Sequence, residues 1–472
     1  MSGAVDIAVL GAGPAGAHAA LAAANAGAAV TLIDDQPAPG GQVWRAKSAA
    51  ILSAPATPES LAGDALRAAV AASAVERMPS TRVWSIERHD GLWTLHLLAD
   101  GAVTTLRARK LILAAGAREF VQPFPGWTTP GVVGLAGATA TMKRDQVAPG
   151  RRVVVCGTGP LVFFVASEVR RLGGEVAAVV TANSRSDWLA ALPAMARQPR
   201  LAVRGARWLA DLALAGVPVL WRHTVTAATG RDRVDGVVVR RVDSDHRAVG
   251  TARHFSADTC AIGHGLLPNV EPGRLAGIGV QRDAVAGSWC LEAGADGSTM
   301  VDGLFVCGDG AAVRGALAAP LSGEIAGRAA AAASGHGDGP SDALIRRHRR
   351  AARFGAAMAS LSRPRPGLAA LATAETIVCR CEGVTRGAIE DEIASGAGTC
   401  GAVKSGTRAG MGPCGGRVCG TAIMSIIAAA RDVPVETVRP PSVRPPLTPV
   451  PVSALASGFR YEDLPIRQPA PL

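Results

Sequence analysis

Residues 6–34 read DIAVLGAGPAGAHAALAAANAGAAVTLID, and this stretch limits the fold more than any other in the chain. A short β-rich run leads into Gly11, Gly13 and Gly16. An alanine-rich helical segment follows to Asn25, Gly27 stops it, and a second strand ends at Asp34. No formally charged residue lies between Asp6 and Asp34, so the run is long enough to imitate a membrane span. Its early glycines and Pro14 argue against a span, and no basic segment precedes it as in a signal peptide. A buried strand–turn–helix–strand accounts for it better. The expectation is a cytoplasmic protein with no transmembrane segment, any membrane association being made through partners.

Each part of this unit has a physical task. Gly11 allows the tight turn, Gly13 lets the backbone approach a pyrophosphate, and Gly16 lets the helix pack closely on the strand. The helix N-terminus offers free N–H groups and partial positive charge to phosphates. Asp34 stands where a carboxylate accepts hydrogen bonds from ribose hydroxyls. The unit therefore reads as a dinucleotide site. The 56 glycines follow no Gly-X-Y period and lie between apolar runs, which excludes collagen and wholesale disorder.

Just past Asp34 the loop QPAPGGQVWR (36–45) carries Gly40, Gly41 and Gln42, and its glycines let it pass close to a ligand. Far downstream a short apolar strand (303–306) leads to Cys307, Gly308 and Asp309, with an Ala/Gly-rich helix expected from about Gly310. A glycine–aspartate pair at such a place can set a carboxylate on ribityl hydroxyls. Two crossings, LILAAGARE (111–119, with Gly116) and CAIGHGLLPN (260–269, with Gly265), complete the order. These motifs resemble two-dinucleotide-domain flavoproteins of the glutathione/thioredoxin-reductase type. The resemblance implies an α/β fold and FAD held at Gly11, Gly13, Gly16, Asp34, Gly41, Gln42, Gly116, Gly308 and Asp309.

Residues 153–180 echo the first unit, but imperfectly. Gly157 and Gly159 match the first two glycines, whereas Val162 replaces the third and Val180 stands where the acid belongs. Arg185 could meet a phosphate, although an exposed arginine is the commoner case. The fold is expected without a working NAD(P)H site, as a degenerate scaffold or one that accepts an adenine nucleotide without catalysis. No CxxC occurs in residues 1–330, so disulfide-reductase chemistry is not expected. Cys156, Cys260, Cys290 and Cys307 read as small core residues.

Beyond RPRPG (363–367) the texture changes. Cys379 and Cys381 form a CxC, and Cys414 and Cys419 a CxxxxC, among many glycines. Two close pairs brought together make a tetrathiolate site for iron–sulfur or zinc. Between them Thr385 reads as the N-cap of a helix containing Glu390, Asp391 and Glu392 and stopped by Gly396, with Cys400 a buried small residue. The stretch resembles the [2Fe–2S] module typified by bacterioferritin-associated ferredoxin. That family often closes with CxxC; the CxxxxC agrees with the variant fused to amino-acid-oxidising flavoproteins. Zinc is the runner-up. Nine cysteines, an odd count in a long chain, favour a reducing compartment.

Flavoprotein, [2Fe–2S] module and Pro-rich tail, in that order, resemble the α subunits of heteromeric opine, proline and D-hydroxyproline dehydrogenases, and the B subunit of hydrogen cyanide synthase. The stretch GAREFVQPFPGWTTPGVVGLAGATATMK (116–143) is particularly similar. The resemblance implies an FAD-containing β subunit, similar to glycine or sarcosine oxidase, that oxidises the amine. A small [2Fe–2S] γ subunit often completes such complexes. This chain would then pass electrons through FAD and [2Fe–2S] to an acceptor.

The expected organisation is a two-part FAD domain (1–150 and 266–335) around a second nucleotide domain (151–265), a basic helical linker (336–370), the [2Fe–2S] module (371–432) and a Pro-rich extended tail (433–472), read as a strap on the surface or a partner. No acid–base pair for a substrate is evident in residues 1–370, so catalytic residues stay unassigned; His264 reads as structural. The net charge of +11 includes a run at Arg346, Arg347, His348, Arg349, Arg350 and Arg353, a solvated helix face or a docking site for an acidic partner. Only 4% of residues are aromatic, which argues against nucleic acid. Two rival readings are a self-contained NAD(P)H-dependent reductase and a metal-sensing or assembly protein with a vestigial flavin fold.

Overall fold

The computed structural model of the chain describes residues 3–456. Its first sheet runs Glu76–Met78, Val30–Ile33, Val5–Leu10, Ala102–Leu113, Leu92–Ala99 and Arg82–His89. The long strand Ala102–Leu113 has two roles. Its first half pairs antiparallel with Leu92–Ala99, while its end lies parallel between Val5–Leu10 and Leu304–Val306, with Leu111 opposite both Ala8 and Leu304. Strands buried on both faces read as continuous apolar runs, which explains the uncharged stretch that opens the chain.

The helices Pro14–Asn25 and Ala319–Ala332 cross at backbone contact. A Cβ at Gly323 would lie 1.9 Å from the Ala15 carbonyl oxygen, and one at Gly327 would lie 2.2 Å from that of Ala19. Alanine and glycine dominate both helices because nothing larger fits this crossing.

The second sheet is wholly parallel, in the order Val219–Trp221, Glu175–Thr181, Arg152–Gly157, Thr259–Gly263 and Val132–Gly134. Its last strand lies upstream of residue 150, so part of the 1–150 segment packs with the second sheet rather than the first. An antiparallel sheet of His223–Thr229, Gly236–Val242 and Ala248–Ser256 adjoins it.

The linker helix Asp342–Leu361 is capped by Ser341, whose hydroxyl accepts from the Leu344 N–H at 3.3 Å. Arg346, Arg347, Arg349, Arg350 and Arg353 on it are exposed. The cysteine-rich segment forms the hairpin Ile377–Cys379 and Val384–Thr385, then the helices Arg386–Ala394, Cys400–Thr407 and Gly420–Ala430 around a core of its own. Thr385 caps the first of these helices through the Ala388 N–H.

The Pro-rich tail straps onto the chain's own first sheet: the Leu447 N–H donates to the Trp84 carbonyl at 2.7 Å, and Leu447 joins the core beside Val83 and Ile86. Residues 457–472 of the expected tail lie outside the described residues. No helix among the described residues is long and apolar enough to cross a membrane.

Candidate cofactor sites

The first glycine turn lies at the C-terminal ends of parallel strands, where open α/β sheets bind ligands. Gly11 has φ +103°, and a Cβ there would lie 2.4 Å from the Ala114 carbonyl oxygen on the neighbouring strand end. Gly16 presses on the same turn, its Cβ position 1.8 Å from the Gly11 carbonyl oxygen. Gly13 is the N-cap of Pro14–Asn25 and brings no side-chain cap. The Gly40 N–H donates to the Ala12 carbonyl at 2.8 Å, folding the 36–45 loop over the turn so that Gly41 lies against Gly13. Gln42 is exposed, and its side-chain oxygen accepts from Arg45 at 3.0 Å.

The Asp34 carboxylate accepts from the Ala12 N–H, and from the Gln36 N–H at 2.7 Å. Burial raises it above the usual carboxylate range against the pull of those two N–H groups. Asp34 thus braces the glycine turn from the strand end.

From the far side, the Gly116 carbonyl accepts from the Asn269 N–H at 2.9 Å, and Gly310 lies against Gly116. Asp309 belongs to a short 3-10 turn, Gly308–Gly310, and its carboxylate accepts from the Arg314 and Gly315 N–H groups at 2.8 and 2.9 Å. Burial raises its pKa against those donors. The helix expected from about Gly310 begins instead at Ala319, with Pro320 in its first turn. The Asp309 carboxylate holds the amides at the middle of the intervening loop, which keeps 311–318 out of the helix. An uncapped helix start, a turn without side chains and two carboxylates at strand ends fit a flavin dinucleotide.

The four clustered cysteines come from two loops. Cys379 ends its strand and is buried, Cys381 is exposed at the hairpin, Cys414 is half-buried and Cys419 is buried at the N-cap of Gly420–Ala430. The Gly410 N–H points at the Cys379 sulfur, at 3.4 Å, and Gly412 packs on Cys381. Cys419 faces Cys379; burial first, then that thiol and Cys414, raise its pKa. Cys381 faces Cys414, whose N–H lowers its pKa while burial and the Cys414 and Cys379 thiols raise it overall.

Among the described residues no three His, Cys, Asp or Glu gather around one point to hold a single ion. The four thiols would supply the four thiolates that hold a [2Fe–2S] cluster.

Sequence reasoning passed over the contacts that join these two sites. The Arg118 guanidinium donates to the Arg417 carbonyl at 3.1 Å and pairs with Glu271 at 3.0 Å. Burial lowers its pKa, with Glu271 opposing. The Trp127 Nε1–H donates to the Ile377 carbonyl at 2.6 Å, and Arg380 stacks over the Trp127 ring at 5.3 Å. The crossing after Gly116 is therefore clasped to both cysteine loops. The sequence signal is the charged pair Arg118 and Glu119 directly after an apolar run and Gly116. Alongside opens a cavity of about 1740 Å³, lined by Arg118, Phe120, Gln122, Ser288, Met411 and Arg417 among others.

Other residues singled out from sequence have structural surroundings. His264 is fully buried and its Nδ1 accepts from the Gln122 N–H at 3.1 Å; burial pushes its pKa down to about 3. Val162 and Val180 are fully buried, in cores on opposite faces of the second sheet, and Arg185 is exposed. Burial pushes the Cys156 thiol up to about 11 and the Cys307 thiol up to about 12, as suits core residues.

Residues 5–335 match the pyridine nucleotide-disulphide oxidoreductase family, and residues 377–429 match the BFD-like [2Fe-2S] binding domain. The A subunit of opine oxidase from Rhizobium meliloti (strain 1021) is 30% identical over 96% of this chain and 98% of its own length. Hydrogen cyanide synthase subunit HcnB of Pseudomonas protegens is 32% identical over 94% of this chain and 96% of its own. The structure of L-proline dehydrogenase from P. horikoshii superposes with a TM-score of 0.73 at 20% identity, covering 96% of this chain and 80% of that one. With its mixed first sheet, parallel second sheet, glycine cradle and cysteine-rich module, the chain belongs to the pyridine nucleotide-disulphide oxidoreductase family, as an FAD- and [2Fe–2S]-binding oxidoreductase related to HcnB and to the A subunit of opine oxidase.

Proposed function

We propose that this chain is the electron-transfer subunit of a heteromeric amino- or imino-acid dehydrogenase of opine, proline or D-hydroxyproline type. In this reading it takes electrons from a partner's amine-oxidising flavin and passes them through FAD and [2Fe–2S] to an acceptor. The observation that carries it is the clasp of Arg118 and Trp127, which binds the cysteine loops to the flavin-side crossing. Support also comes from the relatives, which are named as subunits of oxidases or synthases. The missing CxxC in residues 1–330 agrees with it.

FAD exchanges two electrons with an organic donor or single electrons with a metal centre, which suits it to this junction. The chain's own residues would hold it: Gly11, Gly13 and Gly16 receive the pyrophosphate, Asp34 a ribose, Gly41 and Gln42 the loop side, Gly116 the crossing, and Gly308 with Asp309 the ribityl chain. Cys379, Cys381, Cys414 and Cys419 would ligate the cluster, the Gly410 N–H offsetting negative charge on sulfur. The partner is an FAD-containing β subunit similar to glycine or sarcosine oxidase, joined in some complexes by a small [2Fe–2S] γ subunit, in the cytoplasm.

Affinity purification from the native host tests the partnership. A stoichiometric flavoprotein of the glycine/sarcosine-oxidase type should elute with the chain. A chain that elutes alone and oxidises amines unaided would contradict the proposed division of labour.

A further inference from the structure

The second glycine turn differs from the first in what lies on it. Gly157, Thr158 and Gly159 are all buried. Above Gly159 sits the C-terminal end of the linker helix: a Cβ on Gly159 would lie 2.0 Å from Ser362 Oγ, and one on Gly265 would lie 2.6 Å from the Ser362 carbonyl oxygen. The Ser362 hydroxyl donates to the Thr158 carbonyl at 3.5 Å. The Gly159 N–H, which a pyrophosphate would claim, donates instead to the Asn183 side-chain oxygen at 2.8 Å. Asn183 is 1% exposed and lies just past the strand Glu175–Thr181, on the side where a ribose-binding acid would stand. Its Nδ2 donates to the Leu361 carbonyl at 2.8 Å. Pro160, next in the turn, has no N–H to offer.

The linker then continues across the same strand ends. Arg365 pairs with Asp187 at 2.9 Å, the Gly367 N–H donates to the Asp245 carbonyl at 2.8 Å, and Leu368 and Leu371 enter the core on one face of the second sheet, beside Val154 and Val180. Six residues after Leu371 begins the hairpin that carries Cys379 and Cys381.

We infer that residues 361–371 are a built-in plug: the chain's own linker occupies the pyrophosphate seat of the second nucleotide fold, closes it to NAD(P)H and adenine nucleotides, and uses it to anchor the cysteine-rich module. This goes beyond the missing third glycine and acid. Those changes weaken a site, whereas the plug fills it with hydrogen bonds and apolar contacts that a ligand must displace. The seat that a reductase would use for its nicotinamide donor has become the mount for the metal module.

The test uses the FAD-loaded full-length protein and does not involve amines, so its outcome is separate from that of the electron-transfer reading. ADP-ribose, NADH and NADPH are titrated by calorimetry up to about 1 mM, and amide hydrogen exchange is followed over residues 361–371 with and without each. The expected result is no saturable binding, no flavin bleaching by NADH or NADPH, and unchanged protection of the linker. Asn183→Ala should raise exchange of the Leu361–Ser362 region about tenfold by removing both bridging hydrogen bonds. Saturable nucleotide binding, or deprotection of the linker by a nucleotide, would overturn the inference. So would exchange in Asn183→Ala that matches the parent.

Discussion

At the scale of single residues, glycines and cysteines do different work here. Gly11 and Gly16 permit contacts that any side chain would prevent, whereas Cys379, Cys381, Cys414 and Cys419 are the proposed ligands of the cluster. Replacing Cys419 by serine removes one thiolate from the pair it forms with Cys379. The expected outcome is loss of iron and acid-labile sulfide with FAD retained, because the flavin cradle is built from other elements; iron assay and the visible spectrum check it.

His264 makes a prediction of another kind. Its pKa falls from 6.5 to about 3 in the fold, so between those values the unfolded chain binds a proton that the native chain does not. Stability from this group is full above pH 6.5 and declines as pH falls, by up to about 1.4 kcal/mol per pH unit. His246, lowered to about 4 by burial, contributes in the same direction. Urea unfolding at neutral and mildly acidic pH should show a smaller loss on acidification in His264→Gln than in the parent. An equal loss would assign the acid sensitivity elsewhere.

At the scale of elements, the backbone-contact crossing of Pro14–Asn25 with Ala319–Ala332 fixes how the two halves of the flavin unit meet. Gly323→Ala places a methyl group 1.9 Å from the Ala15 carbonyl oxygen. Overpacking of this kind costs about 1–3 kcal/mol, and the shift should appear as a lower urea midpoint with weaker FAD retention. The glycine turn, its helix and the second strand were legible in the sequence because each depends on neighbours within one continuous stretch. The helix after Asp309 was misplaced because its start is set by the carboxylate's bonds to Arg314 and Gly315, not by the Ala/Gly composition that suggested it. The clasp of Arg118 on Arg417 joins positions far apart in the chain, so no local pattern announced it. Ser362 over Gly159 was hidden for the same reason.

At the scale of the whole molecule, a two-domain reductase architecture has kept its flavin cradle and covered its second nucleotide seat. The module that follows the covered seat is clasped to the crossing beside the flavin cradle. Such an arrangement supports the proposal that two redox sites lie side by side here and that amine chemistry belongs to a partner. The exposed arginines of the linker helix account for part of the +11 charge. One measurement tests this division of labour most directly: anaerobic absorbance changes on adding a panel of D- and L-imino acids and opines to the isolated chain and to its native complex. The flavin and cluster of the isolated chain should stay oxidised with every compound, and those in the complex should bleach with at least one. Rapid bleaching of the isolated chain by any of them would contradict the central claim.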